Sequence, residues 1–158
     1  MAKNDPVPDA HSLARWIKPR FLAKNDEGDV DTDANGRPVF VFPQAFELRE
    51  DEEYLSVTSL DLFDGERTEQ LQRAAEAIQS STEKNKLSKK SAIALGYSGQ
   101  LKENCRSHGH NVRVLEEPVD QNIGHVAVRR YPRDVPELFE LLSETCFSER
   151  YIFGDLVL

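Results

Sequence analysis

Cysteine is scarce in this chain, which has only Cys105 and Cys146 among its 158 residues. The two lie far apart in the sequence, so they form neither a closely spaced metal-binding pair nor a disulfide framework, and we expect both to stay reduced. Apolar runs are short as well, because the longest, such as residues 39–42, fall well below the ~20 residues that cross a bilayer. The N-terminal residues lack the apolar segment of a secretory signal. The sequence therefore predicts a cytoplasmic protein without membrane association.

Positive charge is also in short supply, since 20 Lys and Arg face 28 Asp and Glu and the formal net charge is −8. This balance argues against nucleic acid as a partner, because contacts to phosphate backbones need an excess of basic side chains. The lysine-rich tract at residues 84–90 has no interleaved aromatic residues for base stacking. An acidic chain instead favours a protein partner with a basic surface. Residues 25–35 and 50–53 are the acidic loops that we expect to contact it.

Catalytic and metal-binding signatures are incomplete. The chain has no Gly-x-Ser-x-Gly elbow, and no Cys–His pair stands in a family-specific context. Residues 31–36 match the first half of a calcium loop, but Phe42 occupies the position that should supply a bidentate glutamate. An Asx-rich turn is therefore the preferred interpretation. His108 and His110 could chelate a metal from one face, but no third ligand is nearby. We expect no metal and no cofactor.

The apolar pattern predicts a single α+β domain over residues 11–158, with a mixed or antiparallel sheet packed by about four helices. Helical signals occur at residues 11–21, 67–79, 98–107 and 134–146, the last behind a predicted capping box. Strand signals occur at residues 39–42, 46–49, 54–58, 110–115 and 125–131. Residues 92–95 are too short an apolar run to assign. Residues 1–10 are predicted to be a flexible arm, and residues near 80–90 a mobile polar segment.

Two histidine-led strand segments in the second half of the chain form the candidate ligand site. They begin at His110 and His125, and both carry arginine within an acidic protein. Asn122 lies in the turn before the second segment and could orient His125 at the sheet edge. Arg129 and Arg130 follow, so an anionic group arriving there would meet several donors.

Ser56 and Thr58 add hydroxyls on one side of an earlier strand, where they could contact a phosphate or a ribose. In an enzymatic interpretation, His125 is the acid/base, Arg129 and Arg130 hold the anion, and Ser56 or Asn122 orients the substrate.

A purely structural interpretation of the same residues remains open. In it, Asn122 and Gly124 make the turn, and His125 bonds a neighbouring backbone group. The arginines pair with surface carboxylates, and the two hydroxyls are the polar face of a half-buried strand.

The whole-chain arrangement resembles a group of small bacterial proteins of unknown activity. The resemblance is carried by an aromatic N-terminal segment, by Ala45-Phe46 with Leu55-Ser-Val57, and by the late Asn122-x-x-His125-x-x-Val128. It implies a bacterial, soluble protein and transfers no activity.

The leading functional prediction is a non-enzymatic acidic interaction protein, such as an accessory, immunity-like or antitoxin-like subunit of a bacterial system. Small size, acidic charge and the lack of a complete catalytic set motivate it. The alternative is a small enzyme or sensor that binds a phosphate-bearing ligand through the strand carrying His125, Arg129 and Arg130.

Overall fold

Six β-strands form the centre of the computed structural model, which describes residues 4–82 and 87–157. In chain order they are β1 Ser12–Ile17, β2 Leu55–Ser59, β3 Ala92–Tyr97, β4 Arg113–Glu116, β5 His125–Arg129 and β6 Glu149–Ile152. Their order in the sheet is β4-β5-β2-β1-β3-β6, and every neighbouring pair is antiparallel. The predicted choice between a mixed and an antiparallel sheet is thereby settled as antiparallel.

Three α-helices occur in the described part of the chain, one fewer than expected: α1 Arg67–Ser81, α2 Ser98–Ser107 and α3 Pro136–Leu141. The last continues into a π-helical turn at Leu142–Cys146. The predicted class, a compact α+β domain, is confirmed. None of these helices is long and apolar enough to cross a membrane.

The two faces of the sheet are covered differently. On one face, α2, α3 and the segment Pro43–Phe46 bury a large core that includes Phe46, Phe139 and Phe147. On the other face, α1 packs on apolar side chains of β1 and β3. The neighbouring strands β2 and β5 present polar side chains on that second face, beside the helix. The sheet therefore has one polar area next to an apolar one.

The predicted helix at residues 11–21 is wrong, because this segment contains strand β1. Leu13 and Ile17 are four residues apart and share a face in either a helix or a strand, so their spacing does not discriminate. Ala14 is buried in the opposite core. A strand covered on both faces loses the alternation that would have identified it.

Two predicted strands near the middle of the chain are also absent. Within residues 39–42, only Val41 makes a single bridge, to Leu22. The predicted strand at 46–49 is preceded by a 3-10 turn at Pro43–Phe46. Pro43 has no N–H to donate to a ladder, which favours the turn.

Residues 4–7, which the sequence assigns to a flexible arm, lie along β4 in the structure. The Val7 amide donates to the Val114 carbonyl over 2.9 Å, and the Glu116 amide donates to the Asp5 carbonyl over 2.8 Å. Val7 is buried. This segment therefore covers the open edge of β4. Residues 1–3 of the expected arm and residues 83–86 of the expected mobile segment lie outside the described residues.

Several local predictions are confirmed. Helices α1 and α2 and strand β2 are present, and strands β4 and β5 overlap the two histidine-led segments. These two strands pair with each other, which the sequence left open. The predicted capping box before α3 is absent. The N-cap residue is Val135, and no side chain caps this helix.

Candidate functional site

The central strands β1 and β2 pair over only two positions, Leu13 with Ser59 and Ala14 with Thr58. By contrast, β1 pairs with β3 over six positions. The second half of β1 and the first half of β2 therefore have no ladder between them. A gap in the middle of a sheet leaves backbone acceptors to be satisfied by side chains.

A cavity of about 610 Å³ lies at this gap. Strand residues line its floor: Ala14, Arg15, Trp16, Ser56, Val57, Thr58 and His125. Its walls come from the end of α1, the segment after β1, residues 44–54 and the β4–β5 connection: Ile78, Ser81, Thr82, Lys18, Arg20, Phe21, Gln44, Ala45, Glu47, Arg49, Asp51, Glu52, Glu53, Tyr54, Val119 and Asn122. The volume is in the range of small-molecule sites.

Arg15 fills part of the gap in the ladder. Its Nη1 donates to the Ser56 carbonyl over 2.9 Å, and its Nε and Nη2 donate to the Ala45 carbonyl over 3.1 and 3.0 Å. Within residues 4–82 and 87–157, no carboxylate forms an ion pair with it; Glu52 acts on it only from beyond ion-pair distance. Burial lowers the pKa of the Arg15 guanidinium below its usual value. Two of its five N–H groups are not used in these bonds.

Lys18 lies on the same side of the cavity. Burial, followed by the nearby charges of Arg20 and Arg49, lowers the pKa of its ammonium group, although Glu52 opposes the effect. Burial disfavours the charged form of a lysine, and like charges nearby add to this effect. Two half-buried cations, Arg15 and Lys18, therefore lie at this end of the cavity.

The carboxylates of the cavity lie mainly at its rim. Glu47, Asp51 and Glu53 are exposed, whereas Arg15 and Lys18 are half-buried. Glu52 is half-buried but pairs with Arg49, with 3.5 Å between Nε and Oε1. Exposed charges are screened by water more strongly than buried ones. The inner part of the cavity is therefore the more basic part.

His125 occupies the other end of the floor. Its Nε2 lies 2.8 Å from the Ser56 hydroxyl, and its Nδ1 lies 2.8 Å from the Glu117 carbonyl oxygen. The Tyr54 ring packs edge-on against the imidazole, with 5.8 Å between ring centroids. Burial lowers the pKa of His125, while the bond to Glu117 partly opposes this. The imidazole is therefore neutral at pH 7.

Asn122 makes the turn and also reaches the cavity. Its Nδ2 donates to the Thr58 hydroxyl over 3.0 Å, and its Oδ1 accepts from the Gly124 amide over 3.0 Å. The structure thus brings together Ser56, Asn122 and His125, which the enzymatic interpretation of the sequence assigned to one site.

The two arginines expected to hold an anion lie elsewhere. Arg129 forms a bidentate pair with Glu117 and covers the Tyr54 ring at 4.8 Å from its centroid. Arg130 is exposed and has a φ of 61°. Neither lines the cavity. The basic end of the cavity is made by Arg15 and Lys18, which sequence reasoning missed because their segment read as a helix.

The incomplete metal motifs have ordinary structural roles. Asp33 Oδ1 accepts from the Asn35 and Arg37 amides over 2.9 and 3.1 Å, which makes the predicted Asx turn. His108 Nδ1 contacts the Asn104 carbonyl at the end of α2. In the described part of the chain, no three His, Cys, Asp or Glu side chains are grouped as metal ligands would be.

No family model matches the chain, and neither the curated proteins nor the solved structures that were compared with it give a match.

Proposed function

We propose that this chain binds a small phosphate-bearing molecule in the cavity between β1 and β2. The observation that carries the proposal is the placement of Arg15, a half-buried guanidinium that two backbone carbonyls hold and that has no carboxylate of the described residues within ion-pair distance. Burying a cation without a partner costs free energy, and a bound anion would recover it. Lys18 adds a second cation at the same end of the cavity.

The rest of the cavity fits the non-ionic part of such a ligand. Trp16 supplies apolar surface on the floor, and Phe21, Ile78 and Val119 supply it along the walls. The hydroxyls of Ser56 and Thr58 and the imidazole of His125 supply polar groups at the far end of the floor. Small-molecule sites combine apolar walls with a few placed polar groups in this way.

Calorimetric titration with inorganic phosphate and with nucleoside monophosphates tests the proposal. Binding is expected in low salt and should weaken as ionic strength rises, because a partly open cavity is screened by salt. A hundredfold excess of ligand over its dissociation constant should stabilise the fold by about 2.7 kcal/mol.

Lys18→Ala and Arg15→Gln are expected to weaken binding, by at least about tenfold for loss of one charge-assisted contact. Arg15→Gln also disturbs the sheet, so Lys18→Ala is the more direct variant. Arg113→Ala is the matched control, because Arg113 is exposed on β4 and does not line the cavity. Unaltered affinity in Lys18→Ala and Arg15→Gln, or no binding by the intact protein, would remove the proposal.

A protein partner with a basic surface is a second candidate function. One specific surface favours it: Val39 and Phe42 are 42% and 40% exposed. They adjoin the acidic turns at residues 25–36, where Asp26, Asp29 and Asp33 are exposed. Exposed apolar residues beside charge of one sign are typical of protein-binding surfaces.

Affinity capture from a bacterial lysate at low salt, with Phe42→Ser as the comparison, tests this second candidate. A stoichiometric partner with a basic surface should be captured by the parent protein and lost in the variant. Lys102→Ser serves as the control substitution on a different element, α2. Equal recovery by the parent protein and Phe42→Ser would eliminate this surface.

A further inference from the structure

The hydrogen bonds of His125 fix its tautomer. A carbonyl oxygen only accepts hydrogen bonds, so the Nδ1 that lies 2.8 Å from the Glu117 oxygen must carry the proton. In the neutral ring Nε2 is then an acceptor. The Ser56 hydroxyl, 2.8 Å away, must therefore donate its proton to Nε2. A serine that donates to a histidine oriented from its far side is the arrangement that activates a nucleophilic hydroxyl.

The position of Ser56 distinguishes it from the other serines that contact histidine. The Ser59 hydroxyl lies 3.1 Å from His11 Nδ1, but Ser59 is fully buried and does not line the cavity. Ser107 contacts His108 Nδ1 over 3.2 Å on the exposed end of α2. Of these three serines, only Ser56 both contacts a histidine and lines the cavity.

We propose that Ser56 is a nucleophile and His125 its general base, and that the cavity hydrolyses a small carboxylic ester bearing an anionic group. The substrate class depends on the proposed anion site, since Arg15 and Lys18 would hold the anionic end. This assigns a reaction to a site whose sequence carries no hydrolase signature.

The reaction has two balanced steps. Ser56 Oγ bonds to the ester carbonyl carbon while its proton passes to His125 Nε2. The carbon–oxygen bond to the alcohol then breaks, and the alcohol leaves with that proton. Water attacks the acyl-serine, again giving its proton to Nε2, and the acid leaves as Ser56 recovers its hydrogen. Thr58, which accepts from Asn122, retains a hydroxyl proton that can be donated to the charge developing on the carbonyl oxygen.

The first test is covalent labelling with diisopropyl fluorophosphate, followed by intact mass and peptide mapping. The intact protein should gain one adduct, located on Ser56. Ser56→Ala should abolish the adduct, and His125→Gln should slow its formation by about a hundredfold or more, as loss of a general base does. Ser107→Ala is the matched control, since it removes a serine that also contacts a histidine, and should label normally. No adduct, or one on another serine, overturns the proposal even if Ser56→Ala does not fold.

The pH profile of labelling separates a base from a merely structural histidine. The rate should be constant above about pH 6.5, the ordinary pKa of histidine, and should fall only at a lower pH, because burial lowers the pKa of His125. Glu117 and Arg129 are the charged groups that face this side of the ring, and Tyr54 packs against it. The hydrogen bond to Glu117 raises the pKa of Arg129, so this guanidinium stays charged across that range. A rate that stays constant in acid for as long as the protein remains folded overturns the role of His125.

Hydrolysis of 4-nitrophenyl hydrogen succinate and of 4-nitrophenyl acetate tests the substrate class. The anionic ester should be preferred, and Lys18→Ala should reduce the preference by about fivefold, the effect of one partly screened charge. Phosphate titration on the same samples keeps the two proposals distinguishable. Phosphate binding without labelling overturns only the nucleophile. If Ser56 is labelled but the protein neither binds phosphate nor prefers the anionic ester, the result supports the nucleophile and overturns the anion site.

Discussion

Arg129 and Glu117 are joined by two short hydrogen bonds, 2.6 Å from Nε to Oε2 and 2.7 Å from Nη2 to Oε1. The backbone carbonyl of the same Glu117 accepts the Nδ1 proton of His125. The ion pair therefore holds the residue that orients the imidazole. Donation of these hydrogen bonds to Glu117 raises the pKa of the Arg129 guanidinium above its usual value.

Arg129→Gln should lower the free energy of unfolding by about 1 kcal/mol, since the pair is partly exposed and screened by water. Phosphate affinity should not change, because Arg129 does not line the cavity. Urea unfolding and calorimetry measure the two effects. Arg106→Gln breaks a fully solvated pair with Glu103 on α2 and should shift stability by less than about 0.5 kcal/mol. Loss of phosphate affinity in Arg129→Gln would return Arg129 to the anion site.

His125 should make the fold less stable in mild acid. Burial keeps its pKa below the ordinary value of about 6.5, so below that pH the unfolded chain binds a proton that the folded chain does not. Its contribution is therefore complete above about pH 6.5 and is lost as pH falls towards the lowered folded pKa. Urea unfolding from pH 8 to pH 5 measures the slope.

His125→Gln provides the comparison for that slope, because glutamine does not titrate. The difference in unfolding free energy between the two proteins should be constant from pH 7 to pH 8 and should shrink in acid. Carboxylates contribute equally to both proteins and cancel in the difference. A difference that grows as pH falls would mean that His125 is charged in the fold.

Local signals in the sequence were sufficient to predict which helices and strands carry part of the site. The period of α1 and the alternation of β2 appear where predicted, and strands β4 and β5 overlap the two segments predicted to be strands. Ser56, Asn122 and His125 were therefore placed on the correct elements. To predict that these three residues lie close together, one must also know the register between β2 and β5, in which Thr58 opposes His125. No local pattern encodes that register, since it joins segments far apart in the chain.

The basic end of the cavity could not be predicted for a different reason. Read as a helix, residues 11–21 place Arg15 away from the apolar side chains of Leu13 and Ile17, on a solvated face. In the structure, Arg15 bonds backbone carbonyls in a gap between strands. Such a gap comes from tertiary packing, which overrides local propensity. An arginine inside an apolar segment was the one available signal.

Gly124 is expected to accept no side chain. A Cβ there would lie 2.4 Å from Cε2 and 2.9 Å from Cζ of Phe63, and 3.0 Å from the Ser59 carbonyl. Gly124→Ala should therefore cost about 1–3 kcal/mol through overpacking. It should also displace the neighbouring His125. Gly28→Ala is the comparison, because a Cβ there meets nothing within 4 Å although its φ is +83°.

The two glycine variants separate overpacking from backbone strain. Gly28→Ala should cost about 1 kcal/mol, from the left-handed backbone alone. Urea unfolding gives both values, and labelling of Ser56 gives a second measure of damage at the site. A Gly124→Ala protein as stable as its parent would show that Phe63 can move aside without cost.

Cys105 and Cys146 should be unreactive while the protein is folded. Burial raises the pKa of both thiols to about 12, and for Cys146 the neighbouring Cys105 adds to the effect. The thiolate is the reactive form, and at pH 8 it is almost absent at such a pKa. Ellman's reagent should therefore release no colour within minutes from the native protein and two equivalents in guanidinium chloride. Ser107→Cys, which adds an exposed thiol on α2, should release one equivalent at once. Prompt reaction of the parent protein would mean that the large core opens locally around α2 or the π-helical turn.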